Sequence, residues 1–290
     1  MPYNHSMSRI AAILFPAILF TSQANANNIQ IDFDTTTQYD DNVGNAYGRN
    51  TLFDYGQSAG VTLSSPTFPL NSYSGLSFSG NLHYDQNVRF QGLSHMTVGA
   101  EAGYRIQPVP GFTQPWLDVR SRAILLQHTD SAIRDGGIFS LTGRVGKQIT
   151  DRIGVSIGGG VEIRRSETGD VFDYRRNKLL ASLEYRALDD VMVHVNAQRM
   201  IGDVVTTVTV PSELLALSNA RAYDSALSSD LFRVAYRVGG RTDMIEMTVT
   251  VPITYEHMID LGVGTWASHT SPGESYYTTQ IHAGYTYRFQ

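Results

Sequence analysis

The chain has 290 residues and no cysteine, which excludes disulfides, a thiol nucleophile, thiolate-held metals and a lipid-modified N-terminal cysteine. Beyond its first 20 residues it also lacks any run apolar enough to cross a membrane as a helix, although 42% of its residues are hydrophobic. Charge is not gathered into blocks, and the formal net charge of −5 argues against nucleic acid as a partner. Low-complexity linkers and an obvious repeat unit are missing as well, so no internal domain boundary is placed. If this chain crosses a membrane, it must do so with strands closed into a ring, because an open sheet edge cannot face hydrocarbon.

What is present begins with a leader. Arg9 precedes an apolar stretch from Ile10 to Phe20, and Ala24-Asn25-Ala26 offers the small residues that signal peptidase requires. The stretch is only about half of the roughly 20 residues a spanning helix needs. The expectation is therefore a cleaved signal peptide over 1–26 and a mature domain over 27–290, one unit more negative once Arg9 is removed. Met7 is an alternative start that would shorten the leader.

The mature chain alternates with period two almost throughout, the signature of half-apolar strands. Ile29, Ile31 and Phe33 face away from Gln30, Asp32 and Asp34. The same pattern recurs at Leu76–Tyr84 and Met96–Tyr104, through 117–125, 139–145, 155–163 and 179–185, and at 191–197. Tight connections such as Thr150-Asp151-Arg152 and Leu188-Asp189-Asp190 alternate with longer polar ones at 38–50, 128–136 and 167–174. Segment 204–228 reads as a long loop. Its rival is an extra hairpin with a strand at Val204–Val210 and a turn at Gly239-Gly240.

The last strand carries the most specific signal. Ala283, Tyr285, Tyr287 and Phe289 share one face, while His282, Gly284, Thr286 and Arg288 share the other. The positions His282, Gly284, Tyr287 and Phe289 resemble the barrel-closing signal of Gram-negative outer-membrane β-barrel proteins, from which this chain departs by adding Gln290. The resemblance implies an all-β, transmembrane, antiparallel up-and-down barrel in the outer membrane. It implies outer-membrane lipid and the barrel-assembly machinery as partners. Dividing the mature length by a comfortable strand-plus-connection length gives about 12 strands, within a range of 10 to 14. A secreted β-sandwich would also alternate, but it would need its apolar faces to meet in a dry core.

In a barrel the face opposite the apolar one lines the lumen. Glu101, Arg105, Asp118, Arg120, Arg122, Arg144, Glu162, Arg164, Glu184 and Arg186 are the candidate lumen residues, because an arginine facing hydrocarbon at the midplane would cost roughly 2 to 4 kcal/mol. Mixed signs fit either a water-filled pore or a salt-bridged, sealed interior. Chemistry is less well represented. His269-Thr270-Ser271 has the His/Ser spacing of outer-membrane phospholipases, but Pro272-Gly273 suggests a turn and no orienting third residue is evident. The eight histidines are dispersed, no metal site or cofactor is expected, and Asp40-Asp41 and Asp189-Asp190 read as turn initiators. Gly158-Gly159-Gly160 lies within a strand pattern, where small residues permit close packing or a bend.

A second resemblance covers five residues. Tyr39-Asp40-Asp41-Asn42-Val43 is similar to a motif in uncharacterised β-barrel porins, some associated with exopolysaccharide export. The expected function is a non-enzymatic, porin-like channel for small solutes, or part of an envelope export route for a polymer. The alternative is a closed structural or adhesive barrel acting through extracellular loops, and the remote alternative is an outer-membrane hydrolase.

Overall fold

The computed structural model describes residues 29–46, 48, 51–109, 111–187, 190–209, 216–227, 232–271 and 273–289. The expected leader and Gln290 lie outside the described residues.

Fourteen strands follow one another in sequence: β1 (Gln30–Asp40), β2 (Asp54–Ser64), β3 (Phe68–Asn71), β4 (Ser74–Asn87), β5 (His95–Ile106), β6 (Trp116–His128), β7 (Gly136–Gln148), β8 (Ile153–Ser166), β9 (Tyr174–Arg186), β10 (Met192–Thr209), β11 (Ala220–Tyr223), β12 (Arg233–Pro252), β13 (His257–Thr270) and β14 (Ser275–Phe289). Each wall strand pairs antiparallel with its neighbours in the ring, β14 returns to β1, and β10 pairs with β12 across the one long connection. The result is a closed, twelve-stranded, up-and-down barrel, with β3 and β11 as short additions beside β4 and β12. Closure leaves no unpaired wall edge, the condition for standing in lipid.

The residues expected to close the barrel form the seam. Phe289 pairs with Ile31, Tyr287 with Phe33, Gly284 with Thr36 and His282 with Gln38. Tyr287 and Phe289 meet edge to face at 4.7 Å. At the opposite end from the long loops, two hairpin turns use the same device. The Thr150 hydroxyl accepts from the backbone N–H groups of Arg152 and Ile153, and Thr254 does the same for Glu256 and His257.

The wall is apolar outside and polar inside. Leu82, Ile157, Leu179, Leu261 and Tyr285 are all exposed, Ile157 at 69%. A β-sandwich would bury such residues between its sheets. Here, among the described residues, every buried apolar side chain lies at the loop end instead. Leu52, Phe90, Leu93, Ala226 and Leu227 form one cluster with Val43 packed on it, and Val171, Phe172 and Ala235 form another. A third joins Val208, Tyr236 and Val238.

Segment 204–228 divides the two sequence expectations: a strand runs through Val204–Thr209, as the extra-hairpin reading had it, but Gly239-Gly240 is not the turn that reading required. Val204–Thr209 prolongs β10, and Gly239-Gly240 lies inside the 20-residue strand β12. This upper part is apolar on both faces because loops pack against both, so it carried no clean period. The change comes where Gly202 pairs with Gly240. Gly202 has φ +151°, and a Cβ there would sit 2.2 Å from the Arg175 carbonyl oxygen.

Beyond β11 the chain makes a 3-10 turn at Ser225–Leu227 and meets a second, Gln91–Leu93, in the β4–β5 connection. In a ring of twelve, β4–β5 stands directly opposite β10–β12. The segment therefore crosses the mouth. The approach is so close that a Cβ on Gly92 would lie 2.8 Å from the Ala226 Cα.

Candidate functional site

Beneath this cap the barrel encloses a polar cavity of about 510 Å³. Pairing parity decides what it presents. Arg105 pairs with Asp118 and Asp118 with Arg144; Glu101 pairs with Arg122; Gly154 pairs with Glu184. All ten candidate lumen residues lie on the face opposite the exposed apolar one. Seven of them line the cavity: Glu101, Arg105, Asp118, Arg120, Arg122, Arg144 and Glu184.

The other three are placed elsewhere along the lumen face. Glu162 and Arg164 lie higher, under the cap. Glu162 is ion-paired to Lys178 and accepts the Tyr174 hydroxyl at 3.0 Å. The Arg164 guanidinium lies 5.2 Å from the Phe172 ring centre and donates to the Arg134 carbonyl. Arg186 ends β9 near the tight turns, exposed, in register with Met192.

Within the cavity the charges are unequal in number and in pairing. Arg120 holds Asp118 at 2.6 Å and Glu101 at 2.9 Å, one guanidinium between two carboxylates. Arg105 lies over the Trp116 ring at 4.4 Å. Arg122 and Arg144 form no ion pair with any described residue. Arg144 has room to extend because it pairs with Gly158, where a Cβ would sit 2.8 Å from its Cγ. The sequence had pointed to Gly158 through Gly160 as a place of close packing.

Lys178 and Trp116 also line the cavity and were not among the sequence candidates; Lys147 borders it, but its register with exposed Val155 turns its side chain to the outer face. Lys178 was hidden by its neighbours, since Leu179 and Leu180 blur the alternation on β9. With Lys178 the lumen face of the β5–β9 wall contributes five cations and three carboxylates to the cavity. Across the ring, β1 turns Asp32 and Asp34 inward, β12 Glu246 and β13 Asp260. Arg288 pairs with Asp32 at 3.2 Å, and His83 lies 3.3 Å from Asp34. The lumen thus has a basic side and an acidic side.

The five-residue motif at the first loop is structural. Asp40 accepts the Asn42 N–H at 2.7 Å and the Gln280 amide at 2.6 Å, and Asp41 accepts the Thr279 N–H at 2.7 Å. Buried Asn42 bridges the carbonyls of Ala46 and Tyr277, and Val43 packs on the Leu227 cluster. These residues tie the first loop to the rim and to the cap.

The phospholipase-like spacing is not assembled as a pair. Ser271 donates to the Gly239 carbonyl at 3.0 Å, while the His269 Nδ1 lies 2.9 Å from Ser275 across the hairpin. Among the described residues no group of three or more His, Asp or Glu is placed to hold a metal ion.

No family model matches the chain, and no curated protein matches it. Solved structures do. An outer-membrane channel from Pseudomonas putida F1 is similar over 90% of this chain and 96% of its own, with 9% identity and a TM-score of 0.58. The shared feature is the barrel fold. The KdgM porin (11% identity, 89% and 99% covered, TM-score 0.44) and the DcaP channel of Acinetobacter baumannii (9%, 90% and 96%, 0.44) are also found.

Proposed function

We propose that this protein is an outer-membrane channel for small polar solutes, exported with a cleaved leader and folded with its long loops outward. The observation that carries the reading is the polar cavity inside a closed barrel, lined by solvated charge that packing does not require. A sealed interior would pair its arginines, because an unpaired buried charge is expensive. Arg122 and Arg144 are unpaired among the described residues, which suits a water-filled passage. Its surplus of cations on the β5–β9 wall favours anionic or amphoteric solutes over cations. The protein has no catalytic role in this reading, and its partners are lipid, the assembly machinery and the solute.

The cap favours a second reading, in which the barrel is closed at rest and acts through its loops. Single-channel recording on refolded protein in a planar bilayer separates the two, once a heat-modifiability gel has shown a folded barrel. Stepwise conductance supports the channel. A folded, silent barrel supports the closed form.

A further inference from the structure

Charge also appears on the outside of the wall, where lipid is expected. On β10 the outward residues run Val193, Val195, Ala197 and then Arg199; on β12 they run Val251, Val249, Met247, Ile245 and then Asp243 and Arg241. On β9 the series is Tyr185, Leu183, Ala181, Leu179, Asn177 and Arg175. From Val251 to Asp243 the strand advances about 26 Å. Tilted by about 40°, that is roughly 20 Å of height, close to the top of an apolar band about 25 Å tall. The arginines therefore stand at the loop-side edge of the band. At the turn-side edge the same strands carry Tyr185, Val193 and Val251.

The cluster is not closed on itself. Arg199 grips both Asp243 oxygens, the longer contact at 3.2 Å, and Arg241 approaches the same carboxylate at 3.4 Å. Both guanidiniums stay half exposed, at 49% and 51%. Arg175 is exposed and makes no ion pair with a described residue. Asp203 shares its face, so three guanidiniums meet two carboxylates. His269, in register with Arg241, adds an imidazole. Across the barrel the corresponding edge is aromatic, with Tyr39, Phe53, Tyr55 and Tyr84.

We propose that Arg199, Arg241 and Arg175 form a site on the outer wall for the phosphate groups of an anionic glycolipid in the outward-facing leaflet. At this height, facing away from the lumen, lipid headgroups are the anions within reach. Guanidinium forks match phosphate oxygens in pairs, which a lone lysine cannot do. The site rests on the barrel's standing in a membrane and is independent of whether the lumen conducts.

The test uses refolded full-length barrel in phosphatidylcholine vesicles containing a bisphosphorylated acyl disaccharide or its dephosphorylated form. Glycolipid retained after mild detergent extraction is counted by native mass spectrometry. Wild type should retain the phosphorylated form selectively. R199S/R241S should weaken retention about twenty-five-fold, since each surface arginine contributes roughly a fivefold factor. R199K/R241K, which keeps the charge and protects against misfolding, should fall between them. Equal retention of both glycolipids by wild type, or equal retention by folded wild type and R199S/R241S, would overturn the proposal. So would displacement of the glycolipid by inorganic phosphate alone, which would assign the site to a free anion.

Discussion

The cap and the wall are built from the same alternating sequence with opposite solvents. In the wall, apolar residues such as Ile157 and Leu179 face out and charges face in; in the cap, Leu227, Phe90 and Tyr236 are sealed from everything. The wall therefore depends on lipid for its apolar face, while the cap is a small water-soluble core carried on a membrane barrel. A substitution should be judged by which solvent its position meets, not by its place in a strand.

The largest effect is expected where the cap buries charge. Asp224 is fully buried and bound by Arg134 at 2.7 Å, linking the β10–β12 connection to the β6–β7 connection. Removing one partner of such a pair costs about 3 to 5 kcal/mol. D224A should release segment 216–227 from the mouth while leaving the twelve wall strands paired. Faster hydrogen exchange confined to 216–227, together with larger conductance steps, is the expected outcome. Unchanged exchange would mean that the apolar cluster around Leu227 holds the cap alone.

The wall gives the next effect, and the same residue should have opposite consequences on its two faces. I157R places a guanidinium toward lipid and should lower stability by roughly 2 to 4 kcal/mol. S140R, which adds the same group at a solvated position inside the cavity, should change stability by no more than about 0.5 kcal/mol. Urea titration of the heat-modifiable fraction in vesicles measures both. Equal losses would contradict the outside-apolar, inside-polar assignment.

How much of this was legible follows from the same contrast. Period two exposed the wall, because a strand between lipid and water must alternate; Tyr287 and Phe289 revealed the closing seam, and parity put Arg120, Arg122 and Arg144 on the lumen face. The cap left no such trace. Val43, Leu52, Phe90, Leu93 and Leu227 come from three connections, and only the ring's closure brings them together. Val204–Thr209 was misread as loop because both its faces are covered. Arg199 could have been found, since it interrupts an apolar face at a definite parity, but its depth needed the register with β12.

The smallest effect tests the polarity of the lumen itself. Arg122 and Arg144 are cavity cations that form no ion pair or ring contact among the described residues, so R122S/R144S should weaken anion preference without disturbing an ion pair. Two charges about 4 Å apart in water interact by about 1 kcal/mol, which corresponds to roughly a fivefold change in permeability ratio. The reversal potential in a salt gradient should move toward cations, and E101Q/E184Q should move it the other way. Stability should change little in the arginine variant, because solvated, unpaired side chains are being removed. If the reversal potential stays fixed in both, the cavity does not lie on the conduction path, and the cap rather than the lumen charge would then govern what passes.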